Sequence, residues 1–166
     1  MTRFDFSPLP RIGLGTDRHR LVAGRACMLG GVHFADCPVG PQGHSDGDAV
    51  LHALTDAVLG AAGLDDLGTL FPDTDPRYQG ADSTTLLRTA LQQVAEQGLR
   101  CWSIDLAIQC DRPRIAPRRA EIRAHLAQLF ELPLDRVNLK GKTREGVGSE
   151  VEAVDVTAVV LLGPAA

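Results

Sequence analysis

The sequence lacks several features that would place it in common functional classes. It has no run approaching the roughly 18 apolar residues of a membrane-spanning helix, and its start lacks the continuous apolar core of a secretory signal. Its formal net charge of −4 argues against nucleic acid as the main partner, because a phosphate backbone favours a basic surface. Its four cysteines include no CxxC pair, so we expect reduced, buried thiols and a cytoplasmic protein.

What is present is typical of one globular domain. The 166 residues are 44% apolar and 23% charged, with no internal repeats, and we expect a single domain over residues 1–166 with a flexible tail over about 1–10. Strands alternate with three helices, which predicts an α/β sandwich: a mixed sheet with helices packed on one face. The predicted strands are 11–15, a hairpin of 25–30 and 32–34, 103–108, 137–140 and 151–162; the predicted helices begin near Ser45–Asp48, Asp82–Ser83 and Pro117.

The first of these helices carries an unusual polar stripe. Asp48, His52 and Asp56 are spaced i, i+4 and i+8, so they share a face opposite the apolar one. A histidine between two carboxylates is typical of a metal-binding helix, with one ring nitrogen on the ion and the other held by an acceptor. A solvated helix face is the alternative reading.

Two further residues would complete a metal site. Asp17 and His19 have strand spacing, so both point to one face if the first strand continues. Together with His52 they form a ligand set that a catalytic zinc uses, with a fourth position open to substrate. His44 lies in the loop before His52 and cannot share its helix face. We interpret it as a substrate or transition-state contact, or alternatively as a cap for the following helix.

Three loops could hold substrate. The segment from about 63 to 83 is rich in Asp, Gly and Pro but keeps apolar anchors, which favours an ordered binding loop. The segment 138–146 brings two lysines, an arginine, a threonine and Glu145 together, as expected where a polyanion and a hard divalent cation are bound. The segment 110–117 is a stiff loop bracketed by prolines. A solvated basic turn is the alternative for 138–146.

These motifs together resemble a known family. The segments GLGTDRHRL, LGGVHF, GHSDGDAVLHALTDAVLGAAGLDDLG, LFPDTDP, DRPRIAP and KGKTREG are similar to those of 2-C-methyl-D-erythritol 2,4-cyclodiphosphate synthases, over about residues 11–162. The resemblance implies a homotrimer with active sites between subunits. It implies a phosphorus–oxygen lyase of the non-mevalonate isoprenoid pathway, which converts 4-diphosphocytidyl-2-C-methyl-D-erythritol 2-phosphate into the cyclic diphosphate and CMP.

The resemblance also implies roles for individual residues. Asp17, His19 and His52 would bind Zn2+, and Glu145 would hold Mg2+ or Mn2+. The support of His52 by Asp48 and Asp56 is predicted from the helix spacing and not from the resemblance. His44 and Thr143 would act at the transferring phosphate. The implied substrate contacts are Ser45, Asp66, Leu67, Gly68, Phe71, Pro72, Asp73, Thr74 and Asp75 on one side, and Cys110, Asp111, Arg112, Pro113, Arg114, Ile115, Ala116, Lys142 and Arg144 on the nucleotide side.

The chain departs from the family pattern at several positions. Arg114 stands where the pattern often has lysine, and KGKTRE replaces the common KATTTE, so charge is kept or increased. After Gly148, Ser149-Glu150-Val151-Glu152 replaces a run whose arginine is linked to isoprenoid diphosphate binding on the threefold axis. Two other functions remain as alternatives: a zinc-dependent phosphohydrolase, and a trimeric nucleotide-binding regulatory protein.

Overall fold

The computed structural model describes residues 9–148 and 150–165, so most of the expected N-terminal tail lies outside the described residues. Seven strands and four helices follow one another along this part of the chain. In order they are β1 (Arg11–Ala23), β2 (Met28–Leu29), β3 (Val32–His33), β4 (Val39–Pro41), α1 (Ala49–Ala62), α2 (Leu67–Leu70), α3 (Ser83–Glu96), β5 (Leu99–Gln109), α4 (Arg119–Leu129), β6 (Val137–Lys142) and β7 (Ala153–Pro164).

Five of the strands form one mixed sheet, in the order β4-β1-β7-β5-β6. β5 and β6 are parallel, whereas the other neighbours pair antiparallel. Residues alternate along β1, with Gly13 and Gly15 buried towards the helices and Ile12 and Leu14 exposed on the other face. The helices therefore cover one face of the sheet, and the predicted mixed α/β fold is confirmed.

Helix α1 lies across the centre of the covered face, and nearly all of its residues are buried. Its approach to β1 is close because both elements carry small residues at the contact. A Cβ added at Gly13 would lie 1.8 Å from the carbonyl oxygen of Ala57, and one added at Gly15 would lie 1.9 Å from that of Ala53. Only glycine fits at these two positions, and this contact sets how closely β1 and α1 approach each other.

The element boundaries differ from the sequence predictions in several places. β1 continues to Ala23, which keeps Asp17 and His19 within the strand and on one face. The segment 63–83 is ordered but contains the short helix α2, which the sequence analysis did not predict. The hairpin is shorter than predicted, although it does turn at Gly30 and Gly31, which both adopt positive φ values of 64° and 73°. The closing strand begins at Ala153 instead of Val151.

Candidate metal centre and substrate pockets

Three of the predicted metal ligands meet where β1 crosses the start of α1. The Oδ2 atom of Asp17 lies 2.8 Å from Nε2 of His19 and 3.1 Å from Nδ1 of His52. The two ring nitrogens are 3.2 Å apart. Tetrahedral zinc with bonds of about 2.0–2.1 Å keeps its ligand atoms about 3.3 Å apart, so the three donors fit that ion. The predicted cluster is thus a candidate metal site.

The backbone fixes which nitrogen of His19 faces the cluster. Its Nδ1 lies 2.6 Å from the carbonyl oxygen of Gln42, which can only accept, so Nδ1 carries the proton and Nε2 is free for a metal. Burial alone would raise the pKa of Asp17, but the adjacent His19 and His52 rings lower it well below its usual range. Burial would lower the pKa of His19, and the Asp17 carboxylate raises it instead. The carboxylate therefore stays ionised as a ligand.

The prediction that the Asp48 and Asp56 carboxylates hold the ring of His52 is wrong. The Asp48 carboxylate does not bond His52: it is fully buried, caps α1 by accepting from the amides of Val50 and Leu51, and also accepts from Gly30 and Gly31. Asp48 is the N-cap, so its side chain turns back onto the backbone and leaves the stripe. The Asp56 carboxylate likewise accepts from the amide of Leu67, at 2.7 Å.

Two serine hydroxyls contact His52 in their place. Nε2 of His52 lies 2.9 Å from Oγ of Ser83 and 3.1 Å from Oγ of Ser45. Ser83 is the first residue of α3 and is completely buried. The sequence analysis missed Ser83 because it is 31 positions from His52 and its only local signal was as part of a helix start.

A cavity of about 290 Å³ opens directly in front of the cluster. Its lining combines the metal ligands, the loop before α1 and the 63–83 segment: Asp17, His19, Gln42, Gly43, His44, Ser45, His52, Leu67, Phe71, Asp73, Tyr78 and Leu86. Nε2 of His44 is buried and has no hydrogen-bond partner among the described residues. An unpaired buried nitrogen is costly, so the free nitrogen of His44 is suited to a polar ligand in this cavity.

The 63–83 segment closes one side of this cavity. Leu67, Phe71 and Asp73, three of its predicted contacts, line the cavity, and Phe71 packs edge-on against Tyr78 with ring centroids 5.3 Å apart. The other predicted residues of the segment shape the loop: Asp66 caps α2 and Asp75 caps the turn at Pro76–Tyr78, while Gly68, Pro72 and Thr74 are not part of the lining. Tyr78 and Leu86 were not predicted.

A second cavity, of about 300 Å³, lies where β5 and β6 end. These strands are parallel, so the loops that follow them leave from the same edge of the sheet. The cavity is lined by Cys110, Asp111, Pro113, Arg114, Ile115, Ala116, Gly141, Lys142 and Thr143, most of which were predicted to hold the nucleotide. The loops are tied together by the amide of Cys110 on the carbonyl of Lys142, at 3.0 Å, and by the amide of Arg144 on Asp111, at 3.1 Å.

Three predicted residues, Arg112, Arg144 and Glu145, lie outside the lining of this second cavity. Arg112 pairs with Glu152 at 2.9 Å and is not part of the lining. The hydroxyl of Thr143 donates to the exposed carboxylate of Glu145, so the two predicted residues already contact each other. Burial raises the pKa of Cys110 to about 12, which excludes a thiolate nucleophile beside the pocket at neutral pH.

The two cavities have no lining residue in common. Between them, Asp17 also borders a wider depression of about 640 Å³ on the uncovered face of the sheet, together with Arg144, Gln109 and Asp155. None of the described helices is long and apolar enough to cross a membrane.

A candidate Asp–His–His metal site that borders a cavity, on a mixed α/β scaffold, is typical of a metal-dependent enzyme. Comparison with known proteins identifies the family within this class. The model of the YgbB family matches residues 10–163, and the chain belongs to that family. The relatives described next bear the name of the family that the motifs resemble, which confirms that resemblance.

Individual relatives agree with this assignment. The 2-C-methyl-D-erythritol 2,4-cyclodiphosphate synthase of Dechloromonas aromatica is 47% identical over 92% of this chain and 96% of its own length. An enzyme of the same name from Thermus thermophilus is 50% identical over 92% of this chain and 98% of its own. A solved structure of such a synthase, described as a CDP-bound form, superposes with a TM-score of 0.85 at 47% identity and covers 92% of this chain and 99% of that one.

Proposed function

We propose that this chain is a single-domain enzyme that cyclises 4-diphosphocytidyl-2-C-methyl-D-erythritol 2-phosphate to 2-C-methyl-D-erythritol 2,4-cyclodiphosphate with release of CMP, in the non-mevalonate isoprenoid pathway. The observation that carries the proposal is the Asp17, His19 and His52 cluster, which faces a cavity in a chain of this family. Relatives that are about half identical over nearly their whole length bear the synthase name.

The reaction explains why a protein nucleophile is dispensable. The substrate carries its own attacking group, a phosphate that is already anionic, so the obstacle is to bring one anion onto a second phosphate. Cations that neutralise charge and fix an in-line geometry meet this requirement. Intramolecular positioning can contribute roughly 7–11 kcal/mol when the bound conformer is close to attack.

Asp17 Oδ2, His19 Nε2 and His52 Nδ1 would hold zinc, beside the cavity that would receive a phosphate of the substrate. The three donor types and their spacing support this choice. When bound, the ion would supply Lewis-acid stabilisation of the phosphate charge. His44 would donate from its free ring nitrogen to the same phosphate, and Ser45 would hold the loop that presents it.

We assign the methylerythritol portion to the 63–83 segment, whose Leu67, Phe71 and Asp73 line the metal cavity. We assign the cytidine diphosphate to the cavity of Arg114, Lys142 and Thr143. Glu145 would bind Mg2+ or Mn2+ against the diphosphate, because its exposed carboxylate already accepts from Thr143 at the edge of that cavity. The cationic side chains there would stabilise CMP as it leaves.

We propose that the active enzyme is a homotrimer with each site shared between subunits. The face of the sheet opposite the helices exposes large apolar residues, with Ile12 73% and Leu14 63% accessible in the single chain. Such an apolar face is expected where another subunit covers it. The metal cavity and the nucleotide cavity of one chain share no lining residue, and in the proposed trimer the nucleotide cavity of one subunit would face the metal cavity of its neighbour.

Product analysis with the purified enzyme tests the proposal. Incubation with the cytidyl substrate and divalent ions should give the cyclic diphosphate and CMP in equal amounts. A hydrolase would instead give CMP with the uncyclised 2,4-bisphosphate, or free phosphate from the 2-phosphate group. A regulatory protein would bind CDP without turnover. Either of these results would reject the synthase function for this chain.

A further inference from the structure

Three side chains behind the metal cluster form a chain of hydrogen bonds that no role in the reaction has yet explained. Nε2 of His52 contacts Oγ of Ser83 at 2.9 Å, and Oγ of Ser83 in turn donates to Oδ1 of Asp46. The amide of Ser83 also reaches Oδ2 of Asp46, at 3.2 Å. Ser83 is completely buried and Asp46 is half-buried, so water does not compete freely for these bonds.

We propose that Ser83 and Asp46 are positioning residues that select the tautomer of His52 that binds the metal. The inference rests on the metal site of the proposed function. The Asp46 carboxylate can only accept, so the single proton of the Ser83 hydroxyl is used on it. Ser83 then has only lone pairs to offer His52. When a metal holds Nδ1, the single proton of neutral His52 is on Nε2 and Ser83 accepts it, whereas without a metal the Asp17 carboxylate, 3.1 Å from Nδ1, competes for that proton.

The same bonds connect the metal ligand to the substrate loop. The amide of Asp46 donates to the carbonyl of Ala81 at 3.0 Å, and the amide of Gly80 donates to the carbonyl of His44 at 2.8 Å. The loop that carries His44 is therefore paired with the end of the 63–83 segment, and Ser83 extends that pairing to His52.

The Ser45 hydroxyl does not replace this selection. It lies 3.1 Å from the same nitrogen of His52, but it is bound by the amide of Gly47 at 3.2 Å and has no carboxylate partner among the described residues. Its proton is thus free to point towards Nε2 or away from it, and Ser45 supports either tautomer. Ser83 donates its proton to Asp46, so it supports only the tautomer of His52 that carries a proton on Nε2.

Zinc affinity of the full-length protein tests the proposal without reference to turnover. Ser83→Ala should weaken zinc binding by roughly 10- to 100-fold in competition with a chromophoric chelator. Asp46→Ala should act in the same direction, because it frees the Ser83 proton to donate to Nε2. The double variant should bind zinc no more weakly than Ser83→Ala alone, because Asp46 acts on His52 through Ser83. Additive losses, or wild-type affinity in Ser83→Ala, would overturn the proposal.

A matched control separates positioning from a general loss of packing. Thr55 is also completely buried and its hydroxyl donates to the carbonyl of Leu51 at 2.7 Å, one turn from His52 on the same helix. Thr55→Val removes that hydroxyl while keeping the shape, and zinc affinity should stay unchanged. If Thr55→Val and Ser83→Ala weaken zinc equally, the effect is structural and the proposal is wrong.

Discussion

Replacing Gly15 by alanine should disable the metal site by separating its two halves. The added Cβ would lie 1.9 Å from the carbonyl oxygen of Ala53 and 2.6 Å from the amide nitrogen of Ala57. Close carbon–oxygen contacts are about 3.3 Å, so α1 must retreat from β1 by about 1.4 Å. His52 precedes Ala53 on α1 and Asp17 follows Gly15 on β1. The 3.1 Å contact between the two side chains would therefore open beyond what one zinc ion can bridge.

The stability cost should be smaller than the functional one. Overpacking of this kind typically lowers the free energy of unfolding by about 1–3 kcal/mol, which a domain of this size survives. A displacement of about 1 Å at a reacting centre can reduce turnover by about 100-fold. We therefore expect Gly15→Ala to fold, to lose most of its zinc and to release CMP at least about 100-fold more slowly.

Urea unfolding, zinc content and CMP release measure the three effects on the same preparation. Gly60→Ala is the matched control, because Gly60 lies in the same helix and an added Cβ there meets nothing within 4 Å. It should raise the free energy of unfolding by about 0.5–1 kcal/mol with zinc and turnover unchanged. Wild-type zinc content and turnover in Gly15→Ala would show that the β1–α1 contact does not set the metal geometry.

The same site supports three further predictions. His52→Ala should abolish zinc binding and CMP release while the oligomer, measured by light scattering, stays intact; unchanged turnover would contradict a catalytic metal. Glu145→Gln should remove the response to added magnesium or manganese and leave zinc content unchanged, and a retained response would place the second ion elsewhere. Asp48→Ala should lower the free energy of unfolding by about 2–4 kcal/mol in urea titrations, since four backbone amides lose their acceptor; a smaller loss than that of Thr55→Val would contradict the capping role.

The fold was predictable from the sequence where periodicity determines structure. β1 begins with a short apolar run bounded by glycine, and α1 carries buried residues at helical spacing, so both elements were found. The short helix α2 was missed because its four residues offer too little periodicity, and it forms only with Asp66 as its cap. The strand β4 was missed for a similar reason, since three residues pair with the far end of β1.

The candidate metal ligands were predictable because strand and helix spacing place Asp17, His19 and His52 on inward faces of two adjacent elements. The residues that hydrogen-bond His52 from behind were not predictable in this way. The i±4 spacing places Asp48 and Asp56 on the same helix face as His52, but both carboxylates accept hydrogen bonds from backbone amides instead. A capping carboxylate that accepts several amide bonds has no reason to reach a side chain one turn away. The partner of His52 comes from another helix, and only the fold brings it within reach. A ligand's identity can thus be predicted from local pattern, whereas its protonation state depends on contacts between distant segments.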